Sequence, residues 1–336
     1  MKICLLGEKS VVLDEAMKKV SYYTSKELSK NNDVLLLDLK DYLQEAFWKS
    51  IGRFRPDIIH YLHGPSFNSF VLMKLASIYC RRSKTIMSAV HPDISFLSSK
   101  LTTLLKPDLL LVQALESERL FQQLGFNTMF FPCGVDIAKF IPVSDSRKIE
   151  LRRKYHISED RFVIFHVGSI KVGRNLGLLS RFARAGNIVL VAGAMSQGVD
   201  LELGRQLKES GCVFLTRYLE HIEEVFALSD CYVFPVVYKR GPSGKLLHNS
   251  IEMPLSVLEA MSCNVPVVTT HFGGLPRVFD EGDGLFYADD DETIVSAVER
   301  IRKGTVVNTR IKVSSYSWDK IARNLERIYS DMLSEA

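Results

Sequence analysis

The sequence lacks features that would mark it as a member of several protein classes. None of its six cysteines forms a CxxC pair, and Cys4, Cys212 and Cys231 lie in or beside apolar runs, which favours reduced, buried thiols. No apolar run reaches the ~18 residues that a membrane-spanning helix needs. The first run, 3–6, is too short for a signal peptide. We therefore expect a cytoplasmic protein that contacts a membrane at most peripherally.

A strong charge imbalance is also missing. With 43 Lys and Arg against 39 Asp and Glu, the net charge of +4 is too small to indicate a nucleic-acid partner. The excess lies within the first 150 residues. A modestly basic face there would suit an anionic membrane surface or a phosphorylated acceptor, although an ordinary solvated face is the simpler interpretation.

The sequence does contain an alternation of short apolar runs and helical patterns. Such runs begin at Ile3, Val34 and Ile58 and recur after residue 160, which predicts the buried strands of parallel sheets. A polar stretch without periodicity, 142–148, separates the two series. For 336 residues, two such series predict two parallel-sheet domains, with a ligand cleft beyond the carboxyl ends of the strands.

A glycine-containing segment follows the predicted strand that ends at Val167. Glycine lets a backbone approach a phosphate, and open N–H groups at a helix start attract anions, so Gly168 with Lys171 and Arg174 is a candidate phosphate site. The segment falls short of a nucleoside-triphosphate loop, because Asn175 replaces the hydroxyl residue that would hold magnesium. A plain strand–helix turn capped by Asn175 is the alternative.

A second candidate is the predicted helix that begins at Pro254. Glu259 lies in its second turn among apolar neighbours, where a carboxylate usually has a designated partner. Glu252 lies in the loop before the helix, where a carboxylate can bind sugar hydroxyls while the helix N–H groups face a phosphate. The alternative is that Glu252 complements the helix dipole and that Glu259 is merely exposed. We favour a functional role for Glu259.

Several motifs, taken in order, resemble those of the family 4 retaining glycosyltransferases, which have the GT-B fold. The resemblance covers nearly the whole chain and is strongest after residue 130. The matching segments are Pro132-Cys133-Gly134-Val135-Asp136, His166-Val167-Gly168, Asp230-Cys231-Tyr232-Val233-Phe234-Pro235, Pro254 to Met261, Pro266-Val267-Val268, Gly273-Gly274 and Tyr316-Ser317-Trp318.

The fold implied by this resemblance is α/β, with two Rossmann-like domains that face each other across a cleft. In this fold the closing helix crosses back toward the first domain. We therefore expect an N-terminal acceptor-binding domain of residues 1–142 plus 319–336, and a C-terminal nucleotide-sugar donor-binding domain of residues 143–318.

The activity implied by the resemblance is transfer, with retention, of a sugar from a nucleoside-diphosphate sugar to a glycan, lipid or small-molecule acceptor, without a metal or other cofactor. In this family pattern Glu259 binds the ribose hydroxyls of the nucleotide. Leu255 and Ser256 offer backbone N–H groups near the diphosphate and sugar. Arg174 matches the family's phosphate-binding Lys, and such a cation would stabilise charge on the leaving diphosphate.

The resemblance also makes His91 and Glu252 the candidate catalytic residues, since the family has a His and a Glu near the donor sugar. The family's E-x7-E motif, however, places its first Glu at position 251, which is Ile251 here. Glu252 is therefore displaced by one position. Its carboxylate either adapts within the loop or points away from the sugar.

Other departures concern the phosphate side of the predicted site. Ser169 replaces the family's Arg after the glycine, and either Lys171 or Lys245 is placed to reach the same phosphate. Arg277 stands where the family usually has a Glu. Two alternatives to the transferase therefore remain open: a catalytically impaired nucleotide-sugar binding protein, and a sugar-nucleotide epimerase, which shares this general fold.

Two weaker signals have structural alternatives. Gly7 follows the first strand, where a close backbone approach to a ligand is plausible, but glycine is also an ordinary turn residue. The acidic run 289–292 invites a metal ion, yet its place before a predicted helix favours capping and dipole compensation. We expect no metal site.

Overall fold

The structure is a computed structural model, and it describes residues 1–92, 104–171, 173–193, 200–215, 219–238 and 250–334. Two parallel six-stranded sheets organise these residues. The first has the order β2-β1-β3-β4-β5-β6, with β1 Lys2–Gly7, β2 Asp33–Asp38, β3 Ile58–Gly64, β4 Lys84–Ala89, β5 Leu109–Val112 and β6 Thr128–Phe130. The second has the order β12-β11-β10-β7-β8-β9, with β7 Val163–Val167, β8 Ile188–Ala192, β9 Val213–Leu215, β10 Cys231–Phe234, β11 Val267–Thr269 and β12 Leu285–Tyr287.

Helices connect the strands of each sheet. In the first part of the chain they are α1 Ala16–Leu28, α2 Glu45–Phe54, α3 Phe67–Tyr79 and α4 Leu115–Gln123. The later helices are α5 Asp145–Lys154, α6 Leu179–Arg184, α7 Leu201–Glu209, α8 Ile222–Leu228, α9 Leu255–Ser262, α10 Leu275–Val278, α11 Asp291–Arg302, α12 Thr309–Val313 and α13 Trp318–Ser334. We call the first sheet with α1–α4 and α13 the first lobe, and the second sheet with α5–α12 the second lobe.

The last helix, α13, packs on the first sheet although it follows the second sheet in sequence. Leu325 and Tyr329 of α13 are buried with Ile3 and Leu5 of β1. The hydroxyl of Tyr329 also lies 2.6 Å from Nδ1 of His60 on β3. The chain therefore crosses back to the first lobe, while the exact division at 142–143 and 318–319 stays a prediction.

Backbone contacts join the two lobes. The N–H of Glu252 donates to the Val90 carbonyl of the first lobe at 2.9 Å. Within the second lobe, the N–H of Gly274 donates to the Glu252 carbonyl at 2.9 Å. Gly273 has a φ of +54°, and a Cβ there would collide with the Glu252 carbonyl. A Cβ on Gly274 would collide with the carbonyl of Gln113 in the first lobe. The glycine pair therefore permits an approach that side chains would block.

Local signals account for two helix starts in the second lobe. Asp290 accepts a hydrogen bond from the N–H of Thr293 at 2.9 Å, so the acidic run does cap α11, as expected. The polar stretch 142–148 proves to contain the start of α5, where Ser144 accepts from the N–H of Arg147 at 3.3 Å. Periodicity did not indicate α5 because this helix is charged on most sides and has no apolar stripe.

We expect Gly274→Ala to lower the free energy of unfolding by about 1–3 kcal/mol, the usual cost of forcing extra atoms into a packed site. Gly204→Ala is the matched control, because Gly204 lies within α7 and a Cβ there meets nothing within 4 Å. Alanine should stabilise that helix by about 0.5–1 kcal/mol. Urea unfolding measures both, and equal stability of Gly274→Ala and the wild type would contradict the tight contact between the lobes.

Candidate active site

A cleft of about 370 Å³ lies between the lobes, beyond the carboxyl ends of their strands. The first lobe lines it with Asp14, Glu15, Ala16, Met17, Lys19, His63 and His91. The second lobe lines it with Val167, Gly168, Ser169, Lys171, Arg174, Phe234, Ser250, Ile251, Pro254, Leu255, Ser256 and Glu259. The position agrees with the general rule that ligands of parallel sheets bind at this edge.

The structure brings most of the predicted site residues together. Those that line the cleft are His91, Gly168, Ser169, Lys171, Arg174, Leu255, Ser256 and Glu259. Gly7 and Glu252 are not among its lining residues. Lys245 lies outside the described residues.

Gly168 leaves room for a buried cation in the cleft wall. Its N–H donates to the Ala192 carbonyl at 2.9 Å, and a Cβ on it would lie only 2.9 Å from Nη1 of Arg174. Arg174 is 7% exposed, and burial lowers the pKa of its guanidinium to about 10. That value is far above neutral pH, so Arg174 remains positively charged beside the cleft.

The start of α9 forms another part of the wall. The helix begins at Leu255 after Pro254, which contributes no side-chain cap to the first N–H groups. The hydroxyl of Ser256 accepts from the hydroxyl of Tyr232 at 2.7 Å, which ties the first turn to β10. Burial raises the pKa of Tyr232, so that hydroxyl stays neutral and can donate. A helix start with open N–H groups favours an anion.

Glu259 is the buried carboxylate of the cleft. It is 4% exposed, and its Oε1 forms an ion pair with Nζ of Lys19, which lies on α1 of the opposite lobe. Its second oxygen, Oε2, is buried and accepts no hydrogen bond from the residues that the structure describes. A buried oxygen of this kind calls for an explanation, and a ligand hydroxyl in the adjoining cleft is one.

Glu252, the predicted catalytic carboxylate, lies elsewhere. Its side chain is fully buried, and its Oε1 accepts hydrogen bonds from Ser117 on α4 and, at 2.5 Å, from Tyr238. The carboxylate therefore links the two lobes, while Ile251, at the family's Glu position, lines the cleft. The one-residue displacement turns the side chain toward α4, and this placement does not support the predicted catalytic role.

Arg277, the other departure in this region, is also a contact between the lobes. Its guanidinium pairs with Glu118 of α4 and lies 4.0 Å from the centre of the Phe130 ring. The family position usually held by Glu is thus occupied here by a cation that packs against the first lobe.

Of the remaining first-lobe candidates, His91 lines the cleft, and its catalytic role stays a prediction. Packing explains the glycine at position 7, because a Cβ there would lie 2.5 Å from the hydroxyl oxygen of Ser21 on α1. The structure therefore shows a close approach between β1 and α1 at this glycine, while the approach of a ligand to Gly7 stays a prediction.

Sequence analysis did not single out Lys19 as a cleft residue. One available signal was topological, because the helix after β1 starts at the carboxyl edge of the sheet. Nε2 of His63 lies 3.0 Å from the Met17 carbonyl and 2.8 Å from the hydroxyl of Ser21, so it holds the first turns of α1 in place. Burial lowers the pKa of His63 to about 4, which makes it neutral at pH 7.

Comparison with known proteins finds a family model that matches part of the chain. Residues 162–303 match the family model described as Glycosyl transferases group 1. This part of the chain is similar to the group 1 glycosyltransferases. A curated relative, N-acetyl-alpha-D-glucosaminyl L-malate synthase of Bacillus anthracis, is 26% identical over 201 residues, which are 55% of this chain and 50% of that protein. The chain thus spans about half the length of the curated relatives it matches.

Solved structures confirm the fold expected from the motifs. Sucrose-phosphate synthase from Thermosynechococcus elongatus superposes with a TM-score of 0.78 at 15% identity, over 99% of each chain. Anabaena Alr3699/HepE, solved in complex with UDP and glucose, gives 0.72 at 16% identity, over 98% of this chain and 99% of that one. At such identities the likeness establishes the two-domain GT-B architecture and nothing finer.

The partly buried His63 should make stability depend on pH. Its pKa is about 6.5 in the unfolded chain and about 4 in the fold. The unfolded state therefore binds more protons below pH 6.5, and stability should fall as the pH drops from about 6.5 to about 4. In His63→Gln we expect the slope of unfolding free energy against pH to be smaller in this window, by up to about 1.4 kcal/mol per pH unit. Urea unfolding across the window tests this, and identical slopes would contradict it.

Proposed function

We propose that this protein transfers a sugar from a nucleoside-diphosphate sugar to an acceptor, with retention of the anomeric configuration. The observation that carries the proposal is the buried Glu259, whose Oε2 faces no donor among the described residues although it adjoins the cleft. A carboxylate oxygen in this state suits the hydroxyls of a ribose. The group 1 match of the second lobe and the nucleotide-bound structural neighbour favour the same ligand class.

The diphosphate fits another part of the second lobe's wall of the cleft. Lys171 and Arg174 supply two positive charges there, and the start of α9 at Leu255 adds open N–H groups. Cations and helix starts stabilise negative charge that develops on a leaving phosphate, and they do so more strongly where water is excluded. We infer that most of the rate enhancement comes from stabilising the negative charge on the departing diphosphate.

The anomeric configuration is retained if the diphosphate leaves from the same face of the sugar that the acceptor attacks. The bond from the anomeric carbon to the diphosphate oxygen breaks, and the acceptor oxygen bonds to the same carbon from the same side. The acceptor proton passes to the departing diphosphate oxygen. Ile251 lines the cleft where the family has a Glu, so this scheme assigns the proton to the phosphate and not to that position.

A second candidate is a nucleotide-sugar binding protein without turnover. Ile251 in the cleft and Glu252 buried between the lobes favour it, since both remove a carboxylate from the neighbourhood of the sugar. The two functions share the nucleotide site and differ in the fate of the donor. Slow release of glucose from UDP-glucose, with water as the acceptor, would indicate a transferase, whereas intact donor after prolonged incubation would favour the binding protein.

We expect UDP and UDP-glucose to raise the melting temperature of the wild type and to leave that of Glu259→Gln unchanged, because a ligand that binds only the folded state stabilises it by mass action. Glu252→Gln is the control carboxylate: it should lower the melting temperature of the free protein yet keep the ligand-induced rise. Repeating these melting measurements in EDTA tests the expectation that ligand binding needs no metal ion. A rise that survives in Glu259→Gln, or one lost in Glu252→Gln, would contradict this site.

A peripheral membrane contact is part of the proposal, and α3 supplies a suitable surface. Phe67, Leu75, Ile78 and Tyr79 are 40–55% exposed, and their spacing places them on one face of the helix. Basic residues adjoin this α3 surface: Lys74, Arg81 and Arg82. Exposed apolar groups beside cations are the combination that binds anionic bilayers. Among the described residues no helix is long and apolar enough to cross a membrane.

The α3 surface predicts binding to vesicles that contain phosphatidylglycerol, and weaker binding to pure phosphatidylcholine. Leu75→Ser with Ile78→Ser should reduce the fraction that co-sediments with the anionic vesicles, because apolar burial is lost. Ile311→Ser is the matched control, since Ile311 is 72% exposed on α12 of the other lobe. No co-sedimentation of the wild type would remove this part of the proposal.

A further inference from the structure

The ion pair between Lys19 and Glu259 crosses the cleft. Lys19 lies on α1 of the first lobe, and Glu259 lies on α9 of the second, 240 positions away in sequence. Their side chains are only 17% and 5% exposed. Lys19 also lies over the ring of Phe140, with Nζ 5.8 Å from its centre. The ammonium group is therefore held on one side by an aromatic ring and on the other by the carboxylate.

Burial gives this pair more weight than a surface ion pair has. A carboxylate removed from water is strongly destabilised unless a counter-charge or hydrogen-bond donors compensate. For Glu259, Lys19 supplies that counter-charge through Oε1. The neighbouring pair Lys18–Asp14 differs in its carboxylate, which is 35% exposed against 5% for Glu259, so solvent screens that pair more and it contributes less.

The two oxygens of Glu259 have different surroundings. Oε1 is engaged by Lys19, while Oε2 is buried without a donor among the described residues. From this arrangement we infer that Lys19 is a positioning residue of the nucleotide site: it holds Glu259 through one oxygen so that the other can accept a hydrogen bond from a ribose hydroxyl. The inference rests on the proposed function, and it adds a residue from the opposite lobe to the donor site.

This arrangement makes nucleotide binding depend on both lobes. The donor carboxylate is held correctly only while α1 lies against α9, so an opening of the cleft would release Glu259 from Lys19. Nucleotide affinity and cleft closure are then thermodynamically linked, and each favours the other. Through Lys19, the first lobe thus contributes to donor affinity by way of Glu259.

The test compares UDP with 2′,3′-dideoxy-UDP by titration calorimetry. Lys19→Met should weaken UDP binding by roughly tenfold, which corresponds to about 1.4 kcal/mol, and should leave the affinity for the dideoxy analogue unchanged. Lys19→Arg should restore most of the UDP affinity, because it keeps the charge. Added to Glu259→Gln, Lys19→Met should cause little further loss, since the two residues act as one unit. Lys18→Met is the matched control and should bind UDP like the wild type.

Other outcomes overturn the inference. Unchanged or tighter UDP binding by Lys19→Met would show that Lys19 is irrelevant to the ligand or competes with it. An equal loss for both nucleotides would make Lys19 a direct phosphate ligand. If the wild type binds no nucleoside diphosphate, the proposed function fails. The positioning of Glu259 is then judged by a double-mutant cycle of Lys19→Met and Glu259→Gln in urea unfolding, where additive effects would refute it and coupling would support it.

Discussion

The backbone contact between the lobes is the constraint on which the cleft depends. Two parallel sheets can each present their carboxyl ends to a ligand, but a shared site requires that these edges stay a fixed distance apart. Here the hydrogen bond from Glu252 to Val90 and the close approach of Gly274 to Gln113 set that distance. Because these are main-chain contacts, even one added methyl group at Gly274 would widen the separation.

Charged side chains near this contact strengthen it. Glu252 accepts from Ser117 across the interface, and Arg277 pairs with Glu118. Glu252 and Arg277 both lie in segments that resemble the family's donor-side motifs. Here both contact α4 of the first lobe. These two residues therefore hold the lobes together, and Glu259 is the buried carboxylate that lines the cleft.

Local pattern sufficed to predict the strands, most helices and the residues that follow the strands directly. Gly168, Arg174 and Glu259 could be placed at the cleft from the sequence because their positions depend on near neighbours: a strand end, a helix start and an apolar helix face. Helix α5 was missed because charged residues on most sides leave no period to detect. Lys19 was missed for a different reason, since nothing within a few residues of it indicates a partner 240 positions away.

The case of Glu252 shows why spacing alone could not decide the catalytic residue. In the loop before α9, neighbouring side chains point in different directions, so position 251 lines the cleft while position 252 is buried against Ser117 and Tyr238. A motif that differs by one residue thus exchanges a carboxylate for an isoleucine at the cleft wall. If sugar transfer occurs in such a site, the charge that develops must be stabilised mainly on the phosphate, by Arg174, Lys171 and the start of α9. The buried position of Arg174 then matters more than its charge alone, because a cation shielded from water interacts more strongly with a leaving group than one at the surface does.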